Sequence, residues 1–147
     1  MTSDRLLTMI GLAGLAFCGG ATASLGAKGQ PSADNSCAAV WRAKVQPIAD
    51  SYCVACHQTA SPAGGLSLQR GDAPASLLGV QSNETKLARV EPGDLGRSYL
   101  FLKIMGTHET AGGSGDRMPL GGALSVADIA VFENWIATCR LSRSQGS

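Results

Sequence analysis

Aromatic side chains are scarce in this chain. Three Phe, two Tyr and two Trp make up 5% of 147 residues, few for packing the core of one domain of this size. A large buried cofactor would supply the apolar area that they do not. Runs alternating apolar and polar residues are nearly absent, so a β-α-β arrangement has little to build on. An excess of charge is missing as well. A formal net charge of +1 excludes a strongly basic nucleic-acid binder, and no nucleic-acid partner is expected. It also predicts weak long-range steering, so a protein partner would dock through a local patch. No nucleophile–base pair, phosphate-binding loop or carboxylate cluster is evident. There is no internal repeat.

What the chain does have is five Cys, two of them in Cys53-Val54-Ala55-Cys56-His57. C-x-x-C-H is the attachment sequence for a covalent c-type haem. On a helical turn, positions i, i+3 and i+4 share a face. Cys53, Cys56 and His57 can therefore meet one flat macrocycle together, the sulfurs as thioethers and the imidazole on the iron. Two other uses of the pair fit less well. A redox dithiol wants a β-α-β setting. A zinc site wants a second ligand pair at short spacing, and Cys37, His108 and Cys139 are scattered.

The chain opens with an export signal. Met1 to Arg5 is short and charged, Leu6 to Cys18 is apolar, and small residues follow to Gly26. This is the pattern of a secretory signal peptide over residues 1–23, cleaved before Ser24. The apolar run is too short for a comfortable transmembrane span. Leu15-Ala16-Phe17-Cys18-Gly19 resembles a bacterial lipoprotein box, although Phe17 stands where a small residue is wanted; lipidation at Cys18 would tether the chain to a membrane. Residues 24–35 read as a flexible linker, 36–141 as the folded domain and 142–147 as a polar tail.

Within the domain, Val40, Trp41, Val45 and Ile48 give a helical stripe leading into Cys53. Pro47 either kinks this helix or begins a new one from its first turn. Gly64-Gly65 would let backbone pass close to the haem before Leu66 and Leu68 pack on its face. A short helix is expected over Asp72 to Leu78, another over Leu95 to Met105 with Asp94 as cap, and a last one from Ser125 to about Cys139. Ser125 and Asp128 stand like a capping box.

A six-coordinate haem needs a ligand opposite His57. Met118, in a Gly-rich loop and followed by Pro119, is the first choice. Pro119 favours an extended Met118, which helps to present the thioether. Met105 reads as helix core and His108 as a solvated loop residue, with bis-His ligation or an open site as the alternatives.

Taken together, Cys53-Val-Ala-Cys56-His57, the late Met118-Pro119 and a closing helix with Trp135-Ile136 resemble a small class I c-type cytochrome. Val45-Gln-Pro47-Ile48, Gly65-Leu66-Ser-Leu68, Val90-Glu-Pro92-Gly93-Asp94 and Ser98-Tyr99-Leu100 are similar to stretches of cytochrome c-like domains in exported bacterial proteins. The resemblance covers roughly Val40 to Cys139. It implies an all-α cytochrome c fold, with about four short helices wrapped around one covalent haem and the N- and C-terminal helices packed together. It also implies His57 as proximal and Met118 as distal ligand. The long Gly-rich loop before Met118 and the Cys at 139 depart from the family pattern. If the terminal helices cross, Cys37 and Cys139 come within bonding distance; two separate buried thiols are the alternative.

The expected function is that of a periplasmic, single-haem electron carrier, a monomer that exchanges electrons with protein partners and catalyses nothing. The runner-up is a peroxidase-like haem enzyme or gas sensor with an open or displaceable distal site, using His108 or Arg117 as polar distal group. Arg117 could instead pair with a haem propionate.

Overall fold

The computed structural model describes residues 37–140. The expected signal segment, the linker, the lipidation candidate Cys18 and the polar tail lie outside the described residues. In chain order the elements are α1 (residues 37–52), β1 (His57–Gln58), β2 (Ser61–Pro62), α2 (Tyr99–Met105) and α3 (Val126–Thr138), with 3-10 turns at Ala63–Gly65 and His108–Ala111. Among the described residues no helix is long and apolar enough to cross a membrane.

α1 is continuous through Pro47. It holds a π-helical segment, Trp41–Val45, and Gln46 N–H bonds back to the Trp41 carbonyl before Pro47 enters the first turn of Gln46–Tyr52. A proline ring has no N–H and crowds the preceding turn; the wider π-turn ahead of it lets the helix run on. The same turn brings Gln46 inward. Its buried amide accepts from Trp41 Nε1 at 2.5 Å and donates to the Leu68 carbonyl at 3.0 Å and to Asp50 at 2.8 Å. Every polar atom of this side chain is satisfied, and α1 is tied to the chain that follows the Cys53–His57 motif.

α3 lies against the start of α1. Trp41 meets Trp135 edge-on at a ring separation of 4.7 Å and Phe132 at 6.2 Å. Trp135 Nε1 donates to the Cys37 carbonyl at 2.9 Å. Cys37 and Cys139 are joined by a disulfide, with Cα atoms 5.0 Å apart. Three of the seven aromatics thus meet in one contact, where each buried ring contributes roughly 1.5–3 kcal/mol. Around them Val45, Ala49, Leu68, Leu77, Val90, Ile104 and Ile136 complete the core.

This architecture corrects the expected all-α cytochrome c fold of about four helices around a haem. The described residues form three helices and a two-stranded antiparallel sheet, with His57 opposite Pro62 and Gln58 opposite Ser61. Strands of two residues carry no readable alternation. The fourth helix, expected over Asp72 to Leu78, is a run of turns in which Ser76, Leu77 and Leu78 bond back to Asp72 and Pro74. Pro74 accounts for this, because it donates nothing and keeps Ala73 out of the α region. α2 is shorter than expected. Asp94 does not cap this helix, whose N-cap residue is Ser98, with no side-chain cap; the Asp94 carboxylate accepts from Arg97 N–H, and Ser98 Oγ donates to the Asp94 and Glu91 carbonyls. Residues 94–98 are therefore a closed turn, and the helix begins at Tyr99.

Candidate functional site

α1 ends at Tyr52, and the backbone then coils once more. Cys53 and Val54 N–H bond to the Ala49 carbonyl, and Cys56 and His57 N–H both bond to the Cys53 carbonyl, at 3.1 and 3.0 Å. The five motif residues form this single turn rather than a longer helix, and His57 is already the first residue of β1. β1 hands the chain to β2 and to the turn Ala63–Gly65. There the Ala63 carbonyl sits 3.0 Å from His57 Nδ1. A carbonyl can only accept, so Nδ1 carries the proton and Nε2 is left with its lone pair. An imidazole held in one tautomer by a backbone carbonyl is the usual preparation for binding a metal through its other nitrogen.

Burial pushes the Cys53 thiol up to about 11. Cys56 is exposed, and the two sulfurs are not joined to each other. A reactive dithiol depends on a lowered thiol pKa; Cys53 has the opposite. Among the described residues no group of three His, Cys, Asp or Glu side chains gathers as a metal cage. A haem iron asks for only two axial protein ligands.

Cys53, Cys56, His57 and Met118 all line one cavity of about 280 Å³, whose walls are mainly apolar. Leu66, Leu68, Leu100, Ile104, Leu124 and Phe132 form much of that lining. Gly64 lines it as well; next to it Gly65 sits at φ +67°, and a Cβ there would stand 2.7 Å from Asn83 Nδ2. The mouth is flanked by Tyr52 and Leu120, which are 53% and 60% exposed.

Met118 comes from the Gly-rich loop, and α2 holds that loop in place. Met118 N–H donates to the Lys103 carbonyl at 3.0 Å, Arg117 Nε to Ile104 O at 2.7 Å, Lys103 Nζ to Ser114 O at 2.9 Å and His108 Nε2 to Gly115 O at 2.8 Å. His108 is therefore buried within the loop rather than solvated, and its Nδ1 has no partner. Neither His108 nor Arg117 lines the cavity.

Five polar cavity residues were not singled out by sequence reasoning: Ser82, Asn83, Glu84, Arg89 and Lys103. Tyr99 also reaches the cavity. Its hydroxyl donates to Glu84 Oε2 at 2.5 Å. Burial, with the Glu84 carboxylate adding to it, pushes the Tyr99 phenol up to about 12. Arg89 Nη1 donates to Ser76 O at 2.9 Å and Nη2 to Gly65 O at 3.0 Å. No spacing rule marks these side chains, because loops bring them together. Comparison with known proteins finds no matching family model, curated protein or solved structure.

Proposed function

We propose that this chain carries one haem c, held covalently through Cys53 and Cys56 with His57 and Met118 as axial ligands, and that it passes single electrons between redox proteins. The observation that carries the reading is the meeting of these four side chains, from two distant stretches, on one apolar cavity. The resemblance to class I c-type cytochromes then rests on motif and ligand set, not on architecture. When bound, the haem supplies an iron that cycles between Fe(II) and Fe(III), and His/Met ligation raises its reduction potential.

The chain's own residues position, shield and anchor. Ala63 O fixes the His57 ring and its tautomer. The α2 contacts hold the Met118 loop against the cavity. Leu66, Leu68, Ile104, Leu124 and Phe132 exclude water from it. All four ligands come from one chain, which suits a monomer. The exposed rim at Tyr52, Cys56 and Leu120 is the surface at which protein donors and acceptors would dock. With a net charge of +1, association should depend little on salt.

A carrier rather than an enzyme is supported by the occupied state of the polar lining. Tyr99 is engaged by Glu84, Lys103 by Ser114, and Arg89 by Ser76 and Gly65. His108 and Arg117, the side chains an open-site enzyme or sensor would need, are turned away from the cavity, to the Gly115 and Ile104 carbonyls. The Cys37–Cys139 disulfide supports an oxidising compartment such as the periplasm, which accords with export by residues 1–23 or a lipid tether at Cys18. The attachment is tested by mass spectrometry of the denatured protein made with a haem-attachment system. The wild type should keep its haem, and a Cys53→Ala/Cys56→Ala variant should release or never hold it. A wild-type chain that sheds its haem on denaturation would sink the reading.

A further inference from the structure

The run that carries Met118 begins Gly112-Gly113-Ser114-Gly115. Glycine has more backbone freedom to lose on folding than any other residue, so this stretch cannot place a side chain unaided. Successive residues of it are held from outside. Gly113 lies so close to the Tyr99 ring that a Cβ would collide with the hydroxyl. The Ser114 carbonyl accepts from Lys103 Nζ at 2.9 Å, and the Gly115 carbonyl from His108 Nε2 at 2.8 Å. Since a carbonyl can only accept, Nε2 carries the proton.

Two features set His108 apart from the other anchors. It is 3% exposed, edge-on to Tyr99 at a ring separation of 6.5 Å, and its buried Nδ1 has no partner. A buried lone pair without a partner costs stability that an apolar side chain would not. What the imidazole offers in return is one N–H to the Gly115 carbonyl. His108 also lies outside the cavity lining, whereas Tyr99 and Lys103 belong to it. Any effect of His108 on the cavity therefore passes through the loop, from Gly115 to Met118.

We infer that His108 is a positioning residue for Met118: by fixing the Gly115 carbonyl it holds the thioether at the cavity and resists its displacement by an outside ligand. The inference rests on the haem reading above and deepens it, by naming what governs access to the distal position. Met118 N–H on the Lys103 carbonyl and Arg117 Nε on the Ile104 carbonyl fix the loop after Gly115. His108 fixes the part before it, where glycine leaves the backbone freest.

The test titrates the full, haem-loaded, oxidised chain with cyanide, which must displace Met118 to bind. His108→Leu should bind cyanide about tenfold more tightly than the wild type, the loss of one hydrogen bond making the displaced state easier to reach. His108→Gln, whose side-chain amide can still donate, should return toward the wild type. In a Met118→Ala background, where no thioether is displaced, His108→Leu should change nothing. Unchanged affinity in His108→Leu, a Gln variant no different from Leu, or an equal rise in the Met118→Ala background each overturns the inference and leaves the haem reading intact. A wild type without covalent haem, or one that binds cyanide as tightly as Met118→Ala, overturns the haem and ligand reading itself. Should His108→Leu fail to accumulate, the wild type alone decides. By NMR of the ¹⁵N-histidine-labelled chain, the His108 Nε2 proton should exchange faster with solvent once cyanide is bound, since the coupling is reciprocal. Exchange indifferent to cyanide overturns the inference.

Discussion

At the scale of single residues, Cys53 separates two uses of a C-x-x-C pair. A thiol raised to about 11 by burial is protonated at neutral pH, so it is a poor nucleophile for disulfide exchange. A thioether asks for no thiolate in the mature protein. His57 is poised in a complementary way, since the Ala63 carbonyl decides which nitrogen stays free. Gly65 sits at φ +67°, a conformation that side-chain-bearing residues rarely adopt, and a Cβ there would stand 2.7 Å from Asn83 Nδ2. Gly65→Ala should therefore destabilise the protein by about 1–3 kcal/mol, read by urea denaturation, and should disturb the Arg89 contact with the Gly65 carbonyl. A variant as stable as the wild type would mean that this turn relaxes freely. Residue type and spacing single out the motif Cys and His and the loop Met118, and the structure sets all four on one cavity. Arg89, Asn83 and Glu84 carry no such mark, because their meaning comes from the loops that fold them onto one wall.

At the scale of elements, agreement followed the length of the pattern. α3 could be read closely, since its apolar positions recur over three turns and Ser125 Oγ accepts from Asp128 N–H at its start. α2 ended where Gly106, at φ +74°, predicts a stop. Its start was misjudged because Ser98 and Asp94 spend their hydrogen bonds on a local turn, a competition that apolar periodicity does not reveal. The helix expected over Asp72 to Leu78 failed at Pro74. The sheet went unseen because two-residue strands leave no period. Pro47 was ambiguous in sequence, and the π-turn Trp41–Val45 resolves it as a continuous helix. His108 was read as a solvated loop residue and lies buried instead, holding the Met118 loop through Gly115. A loop rich in glycine can be ordered when buried side chains hold its carbonyls.

At the scale of the whole molecule, scarce aromatics and an apolar cavity are two views of one deficit. The Trp41–Phe132–Trp135 contact packs one side of the chain. The cavity beside it has mainly apolar walls, which would suit a haem. The Cys37–Cys139 bond closes a loop of 102 residues in sequence separation. In the chain-entropy account a link of this span is worth up to about 4.7 kcal/mol, and 2–4 kcal/mol is typical. Reducing it, or making Cys37→Ser/Cys139→Ser, should lower stability by about 2–4 kcal/mol in urea denaturation while leaving any covalent haem in place. Equal stability of the oxidised and reduced protein would show that the α1–α3 contact holds without it. The central claim is that Cys53, Cys56, His57 and Met118 together hold a six-coordinate haem. Its most direct test is the visible absorption spectrum of the purified, haem-loaded protein, oxidised and reduced, with and without carbon monoxide. A low-spin spectrum indifferent to carbon monoxide, turning sensitive in Met118→Ala, is the result expected; a high-spin or carbon monoxide-sensitive wild type would contradict the account.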